Sequence, residues 1–292
     1  MNAMLQLMSE SLAYFLTTVF VVSLLVGSFL NVVIYRLPIM MERAWRRECE
    51  QYLQPDTSLE TPQSPAFNLI KPDSTCPHCQ HKIRAWENIP VISWLWLRGK
   101  CSQCQHAISV RYPLVELTTA VLSTLAAWHF GFGMAAIVAV VVTWLLIAMT
   151  FIDLDKMLLP DQLTLGLLWI ALLVSVSHTF VAAQDAIIGA ALGYLCLWSL
   201  YWAFKLLTGK EGMGYGDFKL LAALGALVGW QHLPVVILLS SFVGAVVGVS
   251  LILIQGRDKS QPIPFGPYLA AAGWLTLLYG DTLVEHYWQW LV

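Results

Sequence analysis

The sequence predicts an all-α polytopic membrane protein of about eight transmembrane helices, with a small cytoplasmic zinc-binding module between the first two helices. Three observations support this fold class: the composition, the spacing of the apolar runs and the position of the positive charges. The 292-residue chain is 58% hydrophobic and only 12% charged, which is about half the charged fraction of a typical soluble domain. Its net charge of −2 and its pI near 6.4 give no reason to expect nucleic acid as a partner.

The apolar runs are long enough to cross a lipid bilayer. A transmembrane helix needs about 20 mostly apolar residues. Eight candidate runs follow one another along the chain, two of them short: Leu12–Ile34, Leu114–Phe130, Met134–Ile152, Leu163–Ala183, Ala186–Phe204, Phe218–Trp230, Pro234–Ile254 and Phe265–Tyr279. The first run lacks both a basic preceding segment and a clear cleavage site, so we do not interpret it as a cleavable signal peptide.

The distribution of Lys and Arg predicts the topology, because cytoplasmic loops are enriched in both residues. With the N-terminus outside, all 16 Lys and Arg fall in inside segments, including Arg257 and Lys259. The outside segments contain none of them: 1–11, 131–133, 184–185, 231–233 and 280–292. We therefore expect both termini on the outer side of the membrane. The expected segments are a first helix (12–36), a cytoplasmic loop (37–112), a seven-helix membrane domain (113–280) and an interfacial tail (281–292).

The long cytoplasmic loop has two different parts. Residues 41–74 are polar and contain four prolines, so we expect an irregular or partly helical insert without functional residues. The part from Cys76 to Arg111 combines four cysteines with an apolar run, which predicts a small folded module.

The four cysteines form two C-x2-C pairs, Cys76 with Cys79 and Cys101 with Cys104. Each pair places two thiolates on one tight turn, and two such turns supply a tetrahedral Zn²⁺ site. A reducing cytoplasm disfavours disulfides. Since four sulfurs leave no open metal position, we predict a structural role for the zinc.

We assign no functional role to the histidines of the module or to the two cysteines outside it. We interpret three histidines of the module as solvated bystanders: His78, His81 and His106. Cys49 and Cys196 have no partner at useful spacing, and we expect Cys196 to pack within a span.

Two cytoplasmic loops carry acids next to apolar runs, 153–162 and 207–217. A carboxylate inside a membrane costs about 2.5–3.5 kcal/mol on insertion scales, so such residues usually have a function or a partner. Two close carboxylates cannot both ionise readily, which yields the acid and base that peptide hydrolysis needs. We assign this chemistry to Asp153 and Asp217 rather than helix capping or pairing with Lys156 and Lys219. We assign capping or pairing to Asp155 and Asp161.

The run after Asp217 is unusually short. Thirteen residues give about 20 Å of helix, against a hydrocarbon core of about 30 Å. If Trp230 lies at the outer interface, Asp217 lies about 10 Å below the inner one. Three glycines precede Asp217 (Gly212, Gly214 and Gly216), and they permit irregular backbone that a substrate chain can approach closely.

Other function classes stay open on the residues alone. The chain has no H-E-x-x-H, G-x-S-x-G or P-loop sequence. A transporter with a zinc-bound regulatory loop would also contain acids in its spans, but these usually lie near the middle of the membrane. A scaffold protein would not require either aspartate.

Taken together, the motifs of the chain resemble those of the type IV prepilin peptidases, which are GxGD-type aspartic proteases. The matching segments are Gly27–Pro38, the two cysteine pairs, Trp86–Pro90, Arg98–Cys101, Ile152–Asp161 and Gly212–Asp217. They run in family order and cover nearly the whole chain.

The resemblance implies a bifunctional enzyme of the bacterial inner membrane with two catalytic aspartates, Asp153 and Asp217. Such enzymes remove a basic leader from prepilins or type II secretion pseudopilins after a Gly, at the inner edge of an apolar helix. They then methylate the new N-terminal residue, usually Phe, with S-adenosylmethionine. We expect the methyl donor at the cysteine module, with Glu87, Gly99 and Lys100 as candidate contacts. A peptidase without methylation is the alternative.

Overall fold

The computed structural model describes residues 3–53, 67–255 and 263–291, and within them the fold is all-helical. Besides one 3₁₀ helix, Ala85–Asn88, these residues form ten α-helices. The first five are α1 (Ala3–Glu10), α2 (Leu12–Leu53), α3 (Ile92–Trp96), α4 (Arg111–Phe130) and α5 (Met134–Lys156). The others are α6 (Asp161–Ser175), α7 (Ala183–Thr208), α8 (Tyr215–Val228), α9 (Leu233–Gln255) and α10 (Gly266–Leu291). The only extended pairing among the described residues is two isolated β-bridges. The predicted helical class is therefore confirmed.

Each of the eight apolar runs falls largely on one of the helices α2 and α4–α10. Within the described part of the chain, four helices are long and apolar enough to cross a membrane: α2, α5, α7 and residues 233–251 of α9. The apolar helix α6 has 15 residues, and α8 has 14. By length and composition four helices therefore qualify as membrane spans, and the topology with eight spans remains a prediction.

The chain divides into two compact units, Met1–Leu125 and Ala126–Val292. In the first unit, α2 continues past Pro38 to Leu53, so the beginning of the expected insert is helical. An exposed Arg46–Glu42 pair four residues apart stabilises this extension. Residues 54–66 of the insert and the basic residues Arg257 and Lys259 lie outside the described residues.

The segment after the insert is held against α2 by Arg36. This buried side chain donates hydrogen bonds to the carbonyl oxygens of Asn68 (3.0 Å) and Pro72 (2.7 Å). The guanidinium of Arg43 lies 4.2 Å from the centre of the Phe67 ring. The backbone at residues 67–72 therefore takes its position from two basic side chains of α2.

Helices α2 and α4 approach closely at Gly27. A Cβ atom at Gly27 would lie 2.8 Å from Cα of Glu116, so only glycine fits without a shift of the backbone. The buried Glu116 carboxylate accepts a hydrogen bond from the backbone N–H of Val91 at 2.8 Å. This bond ties the turn before α3 to the α2–α4 pair.

In the second unit, α8 is the central helix. From Asp217 to Val228 every residue except Lys219 is buried, because α6, α7, α9 and α10 all pack around it. A 14-residue helix is tolerated here because neighbouring helices, rather than lipid, cover it. The carboxyl-terminal segment is helical as well: α10 extends to Leu291, with a non-helical break at Tyr279.

The α7–α8 pair packs backbone against backbone. Gly189 lies against the carbonyl oxygen of Gly225, and a Cβ at Gly193 would lie 2.5 Å from the carbonyl oxygen of Leu221. Glycines spaced four residues apart permit this approach, as in transmembrane helix pairs generally. The position of α8, and with it Asp217, depends on this contact.

Replacing Gly189 with alanine should therefore destabilise the second unit. We expect Gly189→Ala to cost about 1–3 kcal/mol, because the added methyl group overlaps the Gly225 carbonyl. Gly166→Ala in α6 is the matched control, since a Cβ there meets no atom within 4 Å. Thermal unfolding of both purified variants measures the difference. Equal melting temperatures would contradict the close contact.

Candidate active site and cysteine centre

Asp153 lies in the last turn of α5 and is only 5% exposed. Its carboxylate oxygen Oδ2 accepts a hydrogen bond of 3.0 Å from the backbone N–H of Gly266, at the start of α10. A Cβ at Gly266 would lie 2.7 Å from that oxygen. Glycine at 266 is therefore required for the carboxylate to stay in this position.

Asp217 lies in the first turn of α8 and is 8% exposed. Gly214 precedes the helix as its N-cap. The free N–H groups and the positive end of the helix dipole favour a carboxylate at this position. Gly216 faces Leu159 so closely that a Cβ at 216 would lie 2.8 Å from the Leu159 Cβ.

The structure brings the two predicted acids together. The carboxyl groups of Asp153 and Asp217 are close enough to interact electrostatically. Leu159, in the loop after α5, packs against both Gly216 and Gly266. The end of α5 and the starts of α8 and α10 thus converge on one site with two buried carboxyl groups. Such a pair can act as a general acid and a general base toward one water molecule.

Of the other two acids, Asp161 forms an ion pair. Both carboxylate oxygens of Asp161 accept hydrogen bonds from the ammonium of Lys219, at 2.6 and 2.8 Å. This ion pair joins the start of α6 to the first turns of α8. Asp155 is exposed on the last turn of α5. The sequence left capping and pairing with Lys156 or Lys219 open for Asp161; in the structure Pro160 is the N-cap of α6 and Asp161 pairs with Lys219.

The glycine-rich loop before α8 is anchored to α7. Gly212 packs on the ring of Phe204, and Glu211 accepts a hydrogen bond of 2.8 Å from the ammonium of Lys205. Sequence reasoning missed this anchor and also missed Gly266. The only signal for Gly266 was its place between two prolines in Pro264-Phe-Gly-Pro267, a combination typical of turns.

The four cysteines of the module also come together. Their sulfur atoms all lie within 4.8 Å of one another, with 3.8 Å between Cys76 and Cys104 and 3.9 Å between Cys79 and Cys101. The sulfur atoms of a tetrahedral site with bonds of about 2.3 Å lie roughly 3.8 Å apart. The cluster could therefore hold one metal ion.

Two copies of the same turn build this centre. Each has the sequence Cys-x2-Cys-Gln-His, a short repeat that our sequence reasoning did not use. In each copy the first cysteine N–H bonds to the histidine carbonyl at 2.9 Å. The glutamine has a left-handed φ of 59° in both copies, at Gln80 and Gln105. The matching turns aim all four thiols at one point.

The electrostatics of the cluster favour a bound cation. Backbone N–H groups of Cys79 and His78 lower the pKa of Cys76 to about 7. The backbone N–H of His106 favours the Cys104 thiolate, but burial and the three neighbouring cysteines outweigh it and raise the pKa of Cys104 to about 12. Four thiols this close cannot all ionise without a compensating positive charge.

Comparison with known proteins identifies the family of the chain. Residues 21–130 match the bacterial peptidase A24 N-terminal domain, and residues 139–249 match the type IV leader peptidase family. The chain is 61% identical to a prepilin leader peptidase/N-methyltransferase of Aeromonas hydrophila, over 94% of this chain and 93% of that protein. The chain belongs to the type IV leader peptidase family.

Two further relatives in this family carry the same name. The protein of Stutzerimonas stutzeri is 57% identical, and that of Pseudomonas aeruginosa is 54% identical, each over 97% of this chain and 96% of the relative. No solved structure matches the chain.

Three residues are predicted to contact the methyl donor, and two of them, Glu87 and Gly99, contact other residues of the module. Glu87 accepts a 2.8 Å hydrogen bond from the Arg84 N–H and lies 3.2 Å from His81 Nε2. Burial opposes ionisation of Glu87, but its hydrogen bonds to Arg84, Ser102 and His81 lower its pKa overall. The carboxylate therefore caps the 3₁₀ helix as an anion.

Gly99 shapes the module, whereas Lys100 is exposed. Gly99 has a left-handed φ of 67°, and a Cβ there would lie 2.8 Å from the Trp94 ring. The backbone of Lys100 pairs with Ala107 in an isolated bridge, and its side chain is open to solvent. The donor assignment of these three residues stays a prediction.

The interpretation of the histidines as solvated bystanders needs one correction. His81 and Glu87 form a pair whose side chains are only 12% and 6% exposed, because the turn folds His81 back toward the 3₁₀ helix. His78 and His106 are exposed, and their rings stack with centroids 4.6 Å apart. Cys49 and Cys196 are exposed thiols, so Cys196 lies on α7 without the packing that we expected.

The geometry of the cysteine centre predicts one bound metal ion per chain. Replacing Cys76 or Cys104 with serine should remove the metal and unfold the module between the two turns, because metal binding and folding are coupled in such sites. Cys49→Ser is the matched control, since Cys49 lies outside the cluster. Elemental analysis of the reduced protein gives the metal-to-chain ratio. Intact protein without metal, or metal loss in the Cys49 variant, would contradict the assignment.

Proposed function

We propose that this chain removes the leader peptide of type IV prepilins or pseudopilins at the cytoplasmic face of the inner membrane, after a glycine. We propose further that it methylates the amino group of the new N-terminal residue, usually Phe. The main support is the buried pair of Asp153 and Asp217 at the meeting point of three helix ends. The family membership and the names of the relatives support both activities.

In the proposed cleavage step, one carboxylate removes a proton from a water molecule and the other, protonated, donates a hydrogen bond to the scissile carbonyl. The water oxygen attacks the carbonyl carbon, and the peptide nitrogen leaves with a proton from the acid partner. The Gly266 N–H holds the Asp153 carboxylate in place during this exchange. A fixed orientation of this kind contributes to catalysis because the reacting groups need not be ordered anew.

We also propose that the chain crosses the membrane eight times, with both termini in the periplasm. Alternate threading of eight helices puts the end of α5 on the same side as the starts of α8 and α10. These are the three positions of Asp153, Asp217 and Gly266. The same side receives all 16 Lys and Arg, which is the cytoplasmic side by the positive-inside rule.

We propose Zn²⁺ as the metal of the cysteine centre. The spacing of the four sulfurs and the purely thiolate donor set fit this ion. The residues that would hold it are Cys76, Cys79, Cys101 and Cys104. A bound zinc would supply two positive charges to the thiolates and close the module, which is a structural role.

For methylation we propose that S-adenosylmethionine, which supplies an electrophilic methyl group, binds at the cysteine module. Lys100 presents its side chain to solvent and can contact a polar donor directly. Glu87 and Gly99 support the binding surface through Arg84 and Trp94. The amine of the cleaved substrate must lose a proton and be oriented beside the methyl group, which is a different requirement from that of the aspartate pair.

The catalytic assignment predicts a loss of cleavage on neutralising either acid. Asp153→Asn and Asp217→Asn should each lower leader removal by at least about 10²-fold, the usual minimum contribution of a general acid or base. Asp155→Asn is the matched control on the same turn and should stay within about threefold of the wild type. Cleavage is followed by the gel shift of a purified prepilin. Near-normal cleavage by either of the first two variants would refute the pair.

The methylation proposal predicts separable activities. Glu87→Gln, Gly99→Ala and Lys100→Ala should reduce methylation more than cleavage, whereas Asp217→Asn should still methylate a prepilin that has already been cut. Radiolabelled methyl transfer and leader removal are measured in one reaction. Gly133→Ala provides a control for a tolerated glycine substitution, since a Cβ there meets no atom within 4 Å. Parallel loss of both activities in all three module variants, with the fold intact, would reject the site.

A further inference from the structure

The second unit contains an apolar groove between α7 and α9 that the proposed chemistry does not use. Two adjoining cavities of about 350 and 490 Å³ form it. They share Cys196 of α7 and Ile237 of α9 as lining residues. Leu221 of α8 and Leu269 of α10 lie at the floor of the first cavity. The groove exists because α9 packs mainly on α10, whereas α7 packs mainly on α8.

One end of this groove lies at the aspartate pair. Phe265 lines the first cavity, and the next residue, Gly266, donates its N–H to Asp153. Met213 also lines this cavity and belongs to the glycine-rich loop before Asp217. Leu221 follows Asp217 by one helical turn. A chain cleaved at the acid pair can therefore continue directly into the groove.

The other end lies at the opposite end of α8. Trp230, Leu233 and Pro234 line the second cavity. The 14 residues of α8 between the two ends span about 21 Å, which is most of the thickness of a bilayer core. The groove thus has the length of a membrane-crossing helix rather than of a small ligand.

The lining chemistry selects an apolar occupant. None of the residues that line the two cavities in the described structure is charged, and the hydroxyls of Ser199, Ser240 and Ser241 are among the few polar groups. Ser241 and Ala245, one turn apart on α9, are small and exposed. Small side chains let a second helix approach closely, which is the usual basis of helix association in membranes.

We propose that this groove binds the apolar helical segment of the prepilin that follows the scissile bond. The segment lies between α7 and α9, with its first residue at the aspartate pair and its later turns directed toward Trp230. This inference rests on the proposed function, and it assigns the substrate a defined surface. Binding along the groove would place the scissile bond at the carboxyl groups and discriminate against peptides that lack an apolar continuation.

Cysteine crosslinking tests the path of the substrate. Cys196 lines both cavities, and the Asp217→Asn variant should leave the prepilin uncut. Single cysteines are placed along the apolar segment of the prepilin, and the membranes are oxidised. We expect disulfides with Cys196 at substrate positions three or four residues apart, within about ten residues of the scissile bond. Cys196→Ser should abolish them.

A matched control places the thiol on another surface of the same unit. The double variant Cys196→Ser, Trp169→Cys presents a cysteine on α6, where residue 169 is 62% exposed and lies outside both cavities. This variant should form no periodic crosslinks. Equal crosslinking at residue 169, or no crosslinking of Cys196 at any substrate position, would overturn the proposal.

Filling the groove gives an independent kinetic test. Ala245→Trp should raise the KM for full-length prepilin by about tenfold while kcat stays within about twofold, because it removes binding without touching the acids. Val246→Trp is the matched control: its neighbouring position is 50% exposed but lies outside the cavities. An unchanged KM in Ala245→Trp would mean that lipid alone occupies the groove. Failure of the proposed function is distinct, since it would appear as cleavage that survives Asp153→Asn and Asp217→Asn.

Discussion

Two carboxyl groups buried inside a membrane domain impose the main constraint on this protein. Such groups are costly to remove from water, so their position has to be maintained by surrounding structure. Here α8 is enclosed by four other helices, and Asp217 is placed at its amino-terminal end. Asp153 meets the backbone N–H of Gly266. A helix dipole and a backbone donor thus replace part of the hydration that each acid loses.

The glycines of the second unit follow from the same constraint. Gly216 and Gly266 leave room for Leu159 and for the Asp153 carboxylate, and Gly189 lets α7 lie directly on α8. Each position excludes a Cβ for steric reasons rather than for flexibility. The ion pair of Lys219 with Asp161 adds a link between α6 and α8 near the acids. The site is therefore held by close contacts between helix ends.

The cysteine module is held together in a different way from the second unit. It is too small to bury a large apolar core, and several of its apolar side chains, such as Trp96 and Leu95, are exposed. Two identical turns that direct four thiols to one point give it a centre that a metal can close. The hydrogen bond from the Val91 N–H to the Glu116 carboxylate then attaches the module to α4 within the first unit.

The sequence by itself determined the helical class and the location of eight apolar helices, and it singled out the two acids and four cysteines that the structure brings together. Apolar runs, positive charges and C-x2-C pairs are local patterns, and each has a direct physical meaning. The sequence did not reveal the continuation of α2 to Leu53, because this polar segment has no apolar run and contains one exposed ion pair, Arg46 with Glu42. The sequence did not indicate Gly266 as the partner of Asp153, and it named Lys156 and Lys219 without deciding which of them pairs with Asp161; both observed partners are more than 50 residues away in the chain. Only tertiary structure decides such contacts, because they arise where helix ends meet and leave no periodic signal along the chain.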